Sequence, residues 1–243
     1  MKIAAIVEAR MSSSRLPGKV LLKANNKPML EHLIDRLKSI KLIDSIIIAT
    51  TYNLSDDVIC DLAKKKKIFF FRGSEHNVLE RVVKAANYYD PKIIVQITGD
   101  CPIIDPNIVD QIIKIYLENK SDYVGNSHIR SYPDGMDVQV FSKSNLLKSY
   151  SMAKKKLEFE HVTLNMRMNP KIFKPLHIIA PKNIFWPELG LTLDENKDYI
   201  LLKKIIEYFP NNYLFTCLEV VNLLKKNQKW IKINQHVKRK GDS

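Results

Sequence analysis

Short, almost wholly apolar runs recur through the first half of the chain, and between them apolar residues return every three or four positions. The first pattern predicts strands buried on both faces, and the second predicts amphipathic helices. Strands are predicted over 3–8, 45–51, 68–71 and 93–98. Helices are predicted over 28–40, 55–66, 77–88 and 105–118. Pro28 stands near the start of the first helix, with Leu30, Leu33, Ile34 and Leu37 at core spacing. Ser55 is the expected cap of the second, and Pro106 stands just inside the fourth. This order predicts an α/β fold, a mostly parallel sheet with helices on both faces. Ligands in such sheets sit beyond the carboxyl ends of the strands. Four loops, 10–19, 50–51, 72–74 and 99–105, are therefore expected on one rim.

The second half is less regular. Residues 123–124 read as a short strand, and 136–141 alternate as a strand with one wet face. Helices are predicted over 144–153, 158–168, 197–208 and 218–226, with strands over 174–179 and 191–193. The basic residues 238–240 are expected to fray. No internal repeat or long low-complexity linker divides the chain, so one domain is expected over residues 1–243.

Composition narrows the classes. Apolar residues make up 45% of the chain, enough for a full core. No uncharged apolar stretch reaches the length of a membrane span. The first apolar run stops at Glu8 and Arg10, too early and too charged for a secretory leader, so a cytoplasmic protein is expected. Cys60, Cys101 and Cys217 have no metal or disulfide spacing and read as free thiols. His32, His76, His128, His177 and His236 likewise show no ligand spacing. The formal charge of +13 points to an anionic partner. The lysine runs at 64–67 and 154–156 read as solvated helix ends. Lysines are scattered rather than interleaved with aromatic residues on one face, which argues against a nucleic-acid-binding module.

Two stretches carry candidate chemistry. The loop after the first strand brings together Arg10, Arg15, Lys19, three hydroxyls and a Pro-Gly pair, a set suited to cradling a polyphosphate. Ile97-Thr98-Gly99-Asp100-Cys101-Pro102 places one carboxylate at a rigid strand end, after a glycine that lets a ligand approach the backbone. Leu191-Thr192-Leu193-Asp194 repeats the strand-then-Asp pattern. Two such carboxylates suit a Mg2+ ion shared with phosphates.

Glu8-Ala9-Arg10-Met11-Ser12-Ser13-Ser14-Arg15-Leu16-Pro17-Gly18-Lys19 resembles the signature loop of the nucleotide-sugar cytidylyltransferases. These include CMP-KDO synthetases, acylneuraminate cytidylyltransferases and, closest, the spore-coat polysaccharide biosynthesis cytidylyltransferase-like group. Phe71-Arg72-Gly73-Ser74, the Thr98-Gly99-Asp100-Cys101-Pro102 stretch, Tyr132-Pro133-Asp134-Gly135-Met136-Asp137-Val138, Glu160-His161-Val162-Thr163 and Leu191-Thr192-Leu193-Asp194 continue the resemblance, which spans about residues 2–236. It implies a Rossmann-like fold of the nucleotide-diphospho-sugar transferase type, with a smaller irregular α+β part for the acceptor and for dimerisation. Residues 1–122 would bind the nucleotide, 123–210 the acceptor, and 211–243 would form a helical extension.

The implied reaction is attack of a sugar acid, or of a sugar or polyol phosphate, on the α-phosphate of CTP. Arg10 would touch the triphosphate, with Arg15 and Lys19 neutralising the leaving pyrophosphate. Ala9 and Met11 would offer backbone contacts, and Ser12, Arg72, Gly73, Ser74, Thr98 and Gly99 would border the nucleotide. Asp100 and Asp194 would hold Mg2+. Tyr132, Asp134, Asp137, Glu160 and His161 would face the acceptor. The family loop commonly has Gly where this chain has Ser12, and CMP-KDO synthetases have Gln where it has Thr98. A homodimer is implied, with the apolar residues 178–191 and the tail helix as candidate interface. The remaining alternatives are a guanylyl- or uridylyltransferase of the same fold and a glycosyltransferase of related architecture; the latter typically shows an Asp-x-Asp pair, absent at Asp100-Cys101-Pro102.

Overall fold

A computed structural model describes residues 2–239. Four apolar runs form parallel strands: β1 (Ile3–Glu8), β4 (Ser45–Thr51), β5 (Phe69–Gly73) and β6 (Ile93–Thr98). Between them lie a two-residue hairpin, β2 (Lys23–Ala24) and β3 (Lys27–Pro28), and the helices α1 (Met29–Lys38), α2 (Asp57–Lys65) and α3 (Val78–Tyr89). Helix α4 (Pro106–Glu118) carries its proline in the first turn, and Asp105 caps it by accepting from the Asn107 amide. The second half adds β7 (Tyr123–Gly125), β8 (Gln139–Ser142), α5 (Lys143–Met152), α6 (Lys156–Glu160), α7 (Leu164–Met168), β9 (Pro175–His177), α8 (Asn196–Tyr208), α9 (Cys217–Lys226) and α10 (Gln228–Ile231). The seven-stranded sheet runs β5-β4-β1-β6-β8-β7-β9, with β8 alone antiparallel to its neighbours.

The alternation within β1 shows how both faces are covered. Ile3, Ala5 and Val7 enter the larger core, against α1, α2, α4, α8 and α9. Ala4 and Ile6 enter the smaller one, against α3, α5 and α7. A strand buried on both faces must be apolar throughout, which is why these runs lack polar alternation.

The secondary structure departs from the sequence reading in several places. Helix α2 starts after a short 3-10 turn over Leu54–Asp56 rather than at a Ser55 cap. Strand β8 begins only at Gln139, and neither face is wet: Val140 faces the larger core and Phe141 the smaller. The helix expected over 158–168 breaks into α6 and α7, because Val162 is buried and the Thr163 hydroxyl donates to Gln139 in the sheet. Residues 191–193 join no ladder; they are buried, with a bend at Thr192 and a bridge between Asp134 and Gly190 just before them.

The close approach of β1 and β6 fixes the rim. Glu8 lies opposite Thr98, and the Gly99 amide donates to the Glu8 carbonyl at 2.7 Å. A Cβ at Gly99 would stand 2.6 Å from that carbonyl and 2.9 Å from the Ala9 Cβ. Gly99→Ala therefore forces the two strand ends apart and should cost on the order of 1–3 kcal/mol in urea unfolding. An unchanged midpoint would show that the rim can widen freely.

Candidate active site

The loop after β1 is held from inside and from below. The Met11 carbonyl accepts from the Ser13 amide (3.0 Å) and the Gly18 amide (2.8 Å), closing the loop on itself. Fully buried Asp56 accepts from the Met11 amide at 2.8 Å, the Thr50 hydroxyl at 2.9 Å, and the Thr51 amide and hydroxyl at 3.1 and 2.5 Å. One carboxylate thus pins the loop to the end of β4. Sequence reading did not single out Asp56; its signal was a Thr-Thr pair closing a strand with an Asp a few residues on.

Lys19 follows in a short 3-10 turn and is buried. Its ammonium donates to Asp100 at 2.8 Å and to Asp194 at 3.1 Å. The Leu193 amide donates to the Asp100 carbonyl at 2.8 Å, which brings the second aspartate beside the first. Arg15 lies 2.8 Å from the same Asp194 oxygen that Lys19 contacts. Burial pushes the Asp100 carboxyl up, yet the charge and hydrogen bond of Lys19 outweigh it and hold Asp100 below the usual carboxylate range. Burial pulls Lys19 down in turn, and the two aspartates raise it above the ordinary ammonium value. The expected group of Arg15, Lys19, Asp100 and Asp194 therefore converges.

The donor set is two hard carboxylates sharing one cationic group, here the Lys19 ammonium. That suits Mg2+, which accepts one or two carboxylates and leaves its other positions to phosphate and water. Among the described residues no group of three or more His, Cys, Asp or Glu could hold a metal ion. Phosphate oxygens would have to complete the coordination.

Arg10 and Ser12 sit on the same loop but turn to Glu75. Arg10 donates to the Glu75 carbonyl at 3.2 Å and lies 3.6 Å from its carboxylate. The Ser12 hydroxyl donates to that carboxylate, as does Asn53 at 2.8 Å. Glu75 was also missed, although it directly follows Arg72-Gly73-Ser74.

Several expected nucleotide neighbours are engaged in the scaffold. The Arg72 guanidinium donates to the carbonyls of Thr51 (2.8 Å) and Asn53 (2.6 Å) and to Asp57 (2.5 Å), so it ties β5 to the β4–α2 turn. Ser74 accepts from the Asn77 amide through its hydroxyl and from Arg81 through its carbonyl, and Gly73 packs on the Arg81 side chain. The amides of Ala9 and Met11 are spent on the Ala49 carbonyl and on Asp56. Thr98 is exposed on the rim beside Gly99, its hydroxyl 3.3 Å from the Cys101 sulfur.

Asp134 and Asp137, expected to face the acceptor, interact electrostatically. Burial pushes the Asp137 carboxyl up to about 7, with the neighbouring Asp134 adding to the rise. Burial also raises Asp134, against the pull of Thr192, Arg239 and Arg130. Tyr132, expected at the acceptor, is 4% exposed and packs in the larger core. Glu160 and His161 are exposed at the end of α6, a helix packed on α3. The largest correction concerns the tail. Arg239, expected to fray, has a side chain only 9% exposed and donates to Asp198 at 2.8 Å, beside Asp134 and Asp194. Lys240 lies outside the described residues.

Two variants test this framework. Asp56→Ala strands the buried Thr50 and Thr51 hydroxyls and frees the Met11 amide, and should cost on the order of 2–4 kcal/mol in chemical unfolding. Glu8, under Gly99, is pushed up to about 7 by burial, against the opposing pull of Arg81 and Gln96. Folded Glu8 keeps its proton up to that pH whereas an unfolded carboxyl releases it near 4.5. Stability held by this group is therefore lost as pH rises between those values. Thermal melts of Glu8→Gln should gain on wild type from about pH 5 to about pH 8; parallel pH profiles would count against the shifted carboxyl.

A family model described as Cytidylyltransferase matches residues 4–227. The chain is 32% identical to the spore coat polysaccharide biosynthesis protein SpsF of Bacillus subtilis, covering 91% of this chain and 93% of that one. It is 29% identical to a 3-deoxy-manno-octulosonate cytidylyltransferase of Geobacter sulfurreducens over 63% of this chain and 61% of the other. A solved cytidylyltransferase structure from Leptospira borgpetersenii superposes with a TM-score of 0.91 at 33% identity, covering 98% of this chain and all of that one. A sheet rim built from this loop and these aspartates, together with a match over nearly the whole length, places the chain in the cytidylyltransferase family.

Proposed function

We propose that this nucleotidyltransferase moves CMP from CTP to a sugar acid, or to a sugar or polyol phosphate, with Mg2+ and with release of pyrophosphate. The observation that carries the reading is the Lys19 ammonium held between Asp100 and Asp194 with Arg15 on the same aspartate. The name of the Geobacter relative supports a sugar-acid acceptor. That of the Bacillus relative supports a place in surface-polysaccharide synthesis.

In the proposed reaction an acceptor oxygen attacks the α-phosphorus in line, a new P–O bond forms, and the bond to pyrophosphate breaks. Such chemistry asks the protein mainly for positioning and for charge set in place beforehand. Mg2+ held by Asp100 and Asp194 would neutralise phosphate oxygens. Lys19 and Arg15 stand next to that position and offset charge building on the leaving group. Arg10, half-exposed on the same loop, reaches the phosphates from the Glu75 side. If the nucleophile is a hydroxyl, Asp137 is the acceptor-side carboxyl poised near neutrality to take its proton.

The direct test is pyrophosphate release with each of the four nucleoside triphosphates against a panel of sugar acids and sugar phosphates, with and without Mg2+. Release is expected with CTP and a subset of the panel, and only with the metal. Asp100→Asn and Lys19→Ala should each lose on the order of 2–4 kcal/mol of transition-state stabilisation, or about 1.5 to 3 decades in turnover. Near wild-type turnover in both variants would refute the assignment.

A further inference from the structure

The two carboxylates proposed to hold a metal are already answered by cations. Lys19 Nζ donates to Asp100 Oδ2 at 2.8 Å and to Asp194 Oδ1 at 3.1 Å. Arg15 reaches the same Asp194 oxygen at 2.8 Å, and Arg239 stands 3.9 Å from the other. Lys19 and Arg15 alone balance the formal charge of the two aspartates, so the rim has no surplus of negative charge to draw a dication. The lysine is also recessed, with its side chain 11% exposed. Displacing it from the aspartates strands a cation unless another acceptor takes their place.

Those carboxylates are the ones a divalent ion needs. An ion bridging them enters the position between the two that the ammonium fills, and its double charge repels the ammonium there. Among the described residues no third His, Cys, Asp or Glu completes a metal-ligand group with them. The protein alone therefore offers an incoming ion two carboxylates, both committed. A triphosphate changes both conditions. It brings negative charge to the rim, and its oxygens give Lys19 charge-assisted acceptors in exchange for the aspartates.

We propose that Lys19 competes with the divalent ion for Asp100 and Asp194, so that the rim takes up the ion only together with a triphosphate. This rests on the metal-dependent nucleotidyltransferase reading and adds to it a second duty for Lys19, which guards the aspartates before it meets the phosphates. Arg15 does not share that duty. It touches one of the two carboxylates, and the Lys238 carbonyl also accepts from it at 3.0 Å.

The test is Mn2+ binding followed by electron paramagnetic resonance, first without nucleotide and then with CTP. Mn2+ stands in for Mg2+ because it accepts the same oxygen ligands. Wild type should bind the ion weakly without nucleotide. Lys19→Met keeps much of the side-chain length but not the charge, and should bind it on the order of tenfold tighter. Lys19→Gln repeats the measurement should the thioether disturb the fold, which circular dichroism reports. Arg15→Gln also removes one charge beside Asp194, and should gain clearly less. Adding Asp100→Asn to Lys19→Met should remove the gain. CTP should tighten the ion by a larger factor in wild type than in Lys19→Met. The proposal is overturned if neither Lys19 variant outbinds wild type, if Arg15→Gln gains as much, or if the gain survives Asp100→Asn. Wild type that binds no Mn2+ even with CTP, and releases no pyrophosphate, would instead refute the metal-dependent nucleotidyltransferase reading.

Discussion

Three stretches far apart in sequence meet at one ammonium: Lys19 after β1, Asp100 after β6 and Asp194 before α8. Most of the site's geometry depends on this contact. A recessed lysine with two carboxylates is costly to desolvate, and it persists only where each charge is answered. Removing one member leaves the others uncompensated, so the arrangement tolerates little displacement of the rim. The loop on one side is fixed by Asp56 and the segment on the other by the Leu193–Asp100 backbone bond. The ion pair thus joins two rigid anchors.

Charge on this rim is sorted into two groups. Toward the phosphate loop, Asp100 is held ionised by Lys19. Around residues 134–137, burial raises both carboxyls, with Asp134 adding to the rise at Asp137 and Asp194 to that at Asp134. A site that keeps some carboxylates charged and others near neutrality can neutralise phosphates in one place and exchange a proton in another. Net charge gives no hint of this division. The overall +13 comes largely from exposed lysines, whereas the rim carries a balanced mixture.

The sequence was most legible where the physics is local. Buried parallel strands must be apolar throughout, so β1, β4 and β6 can be read almost to the residue, and Asp100 follows from its place after one of them. Legibility fell where a residue's partner is distant. Arg72 reads as a cation at a sheet rim, and nothing nearby reveals that its guanidinium is spent on backbone carbonyls of the β4–α2 turn. Tyr132 reads as a polar aromatic in a turn, but it packs in the core. Residues 238 and 239 look like a solvated basic tail because the carboxylates that hold Arg239 lie more than forty positions away in the chain, with Asp198 41 residues distant. The segment over 191–193 keeps the apolar alternation of a strand, yet it bends at Thr192 and pairs through single backbone bonds instead of a ladder.

Asp198 has a consequence for the order in which the protein is made. This fully buried carboxylate accepts the amides of Asp194 and Glu195 on one oxygen and Asn234 and Arg239 on the other. Synthesis delivers the carboxylate and its first two partners together, and its cation 41 residues later. The carboxylate's sequence neighbours supply only two backbone amides to this charge, which burial otherwise disfavours. The corner beside Asp194 is therefore completed by residues 234–239 rather than by its own sequence neighbours.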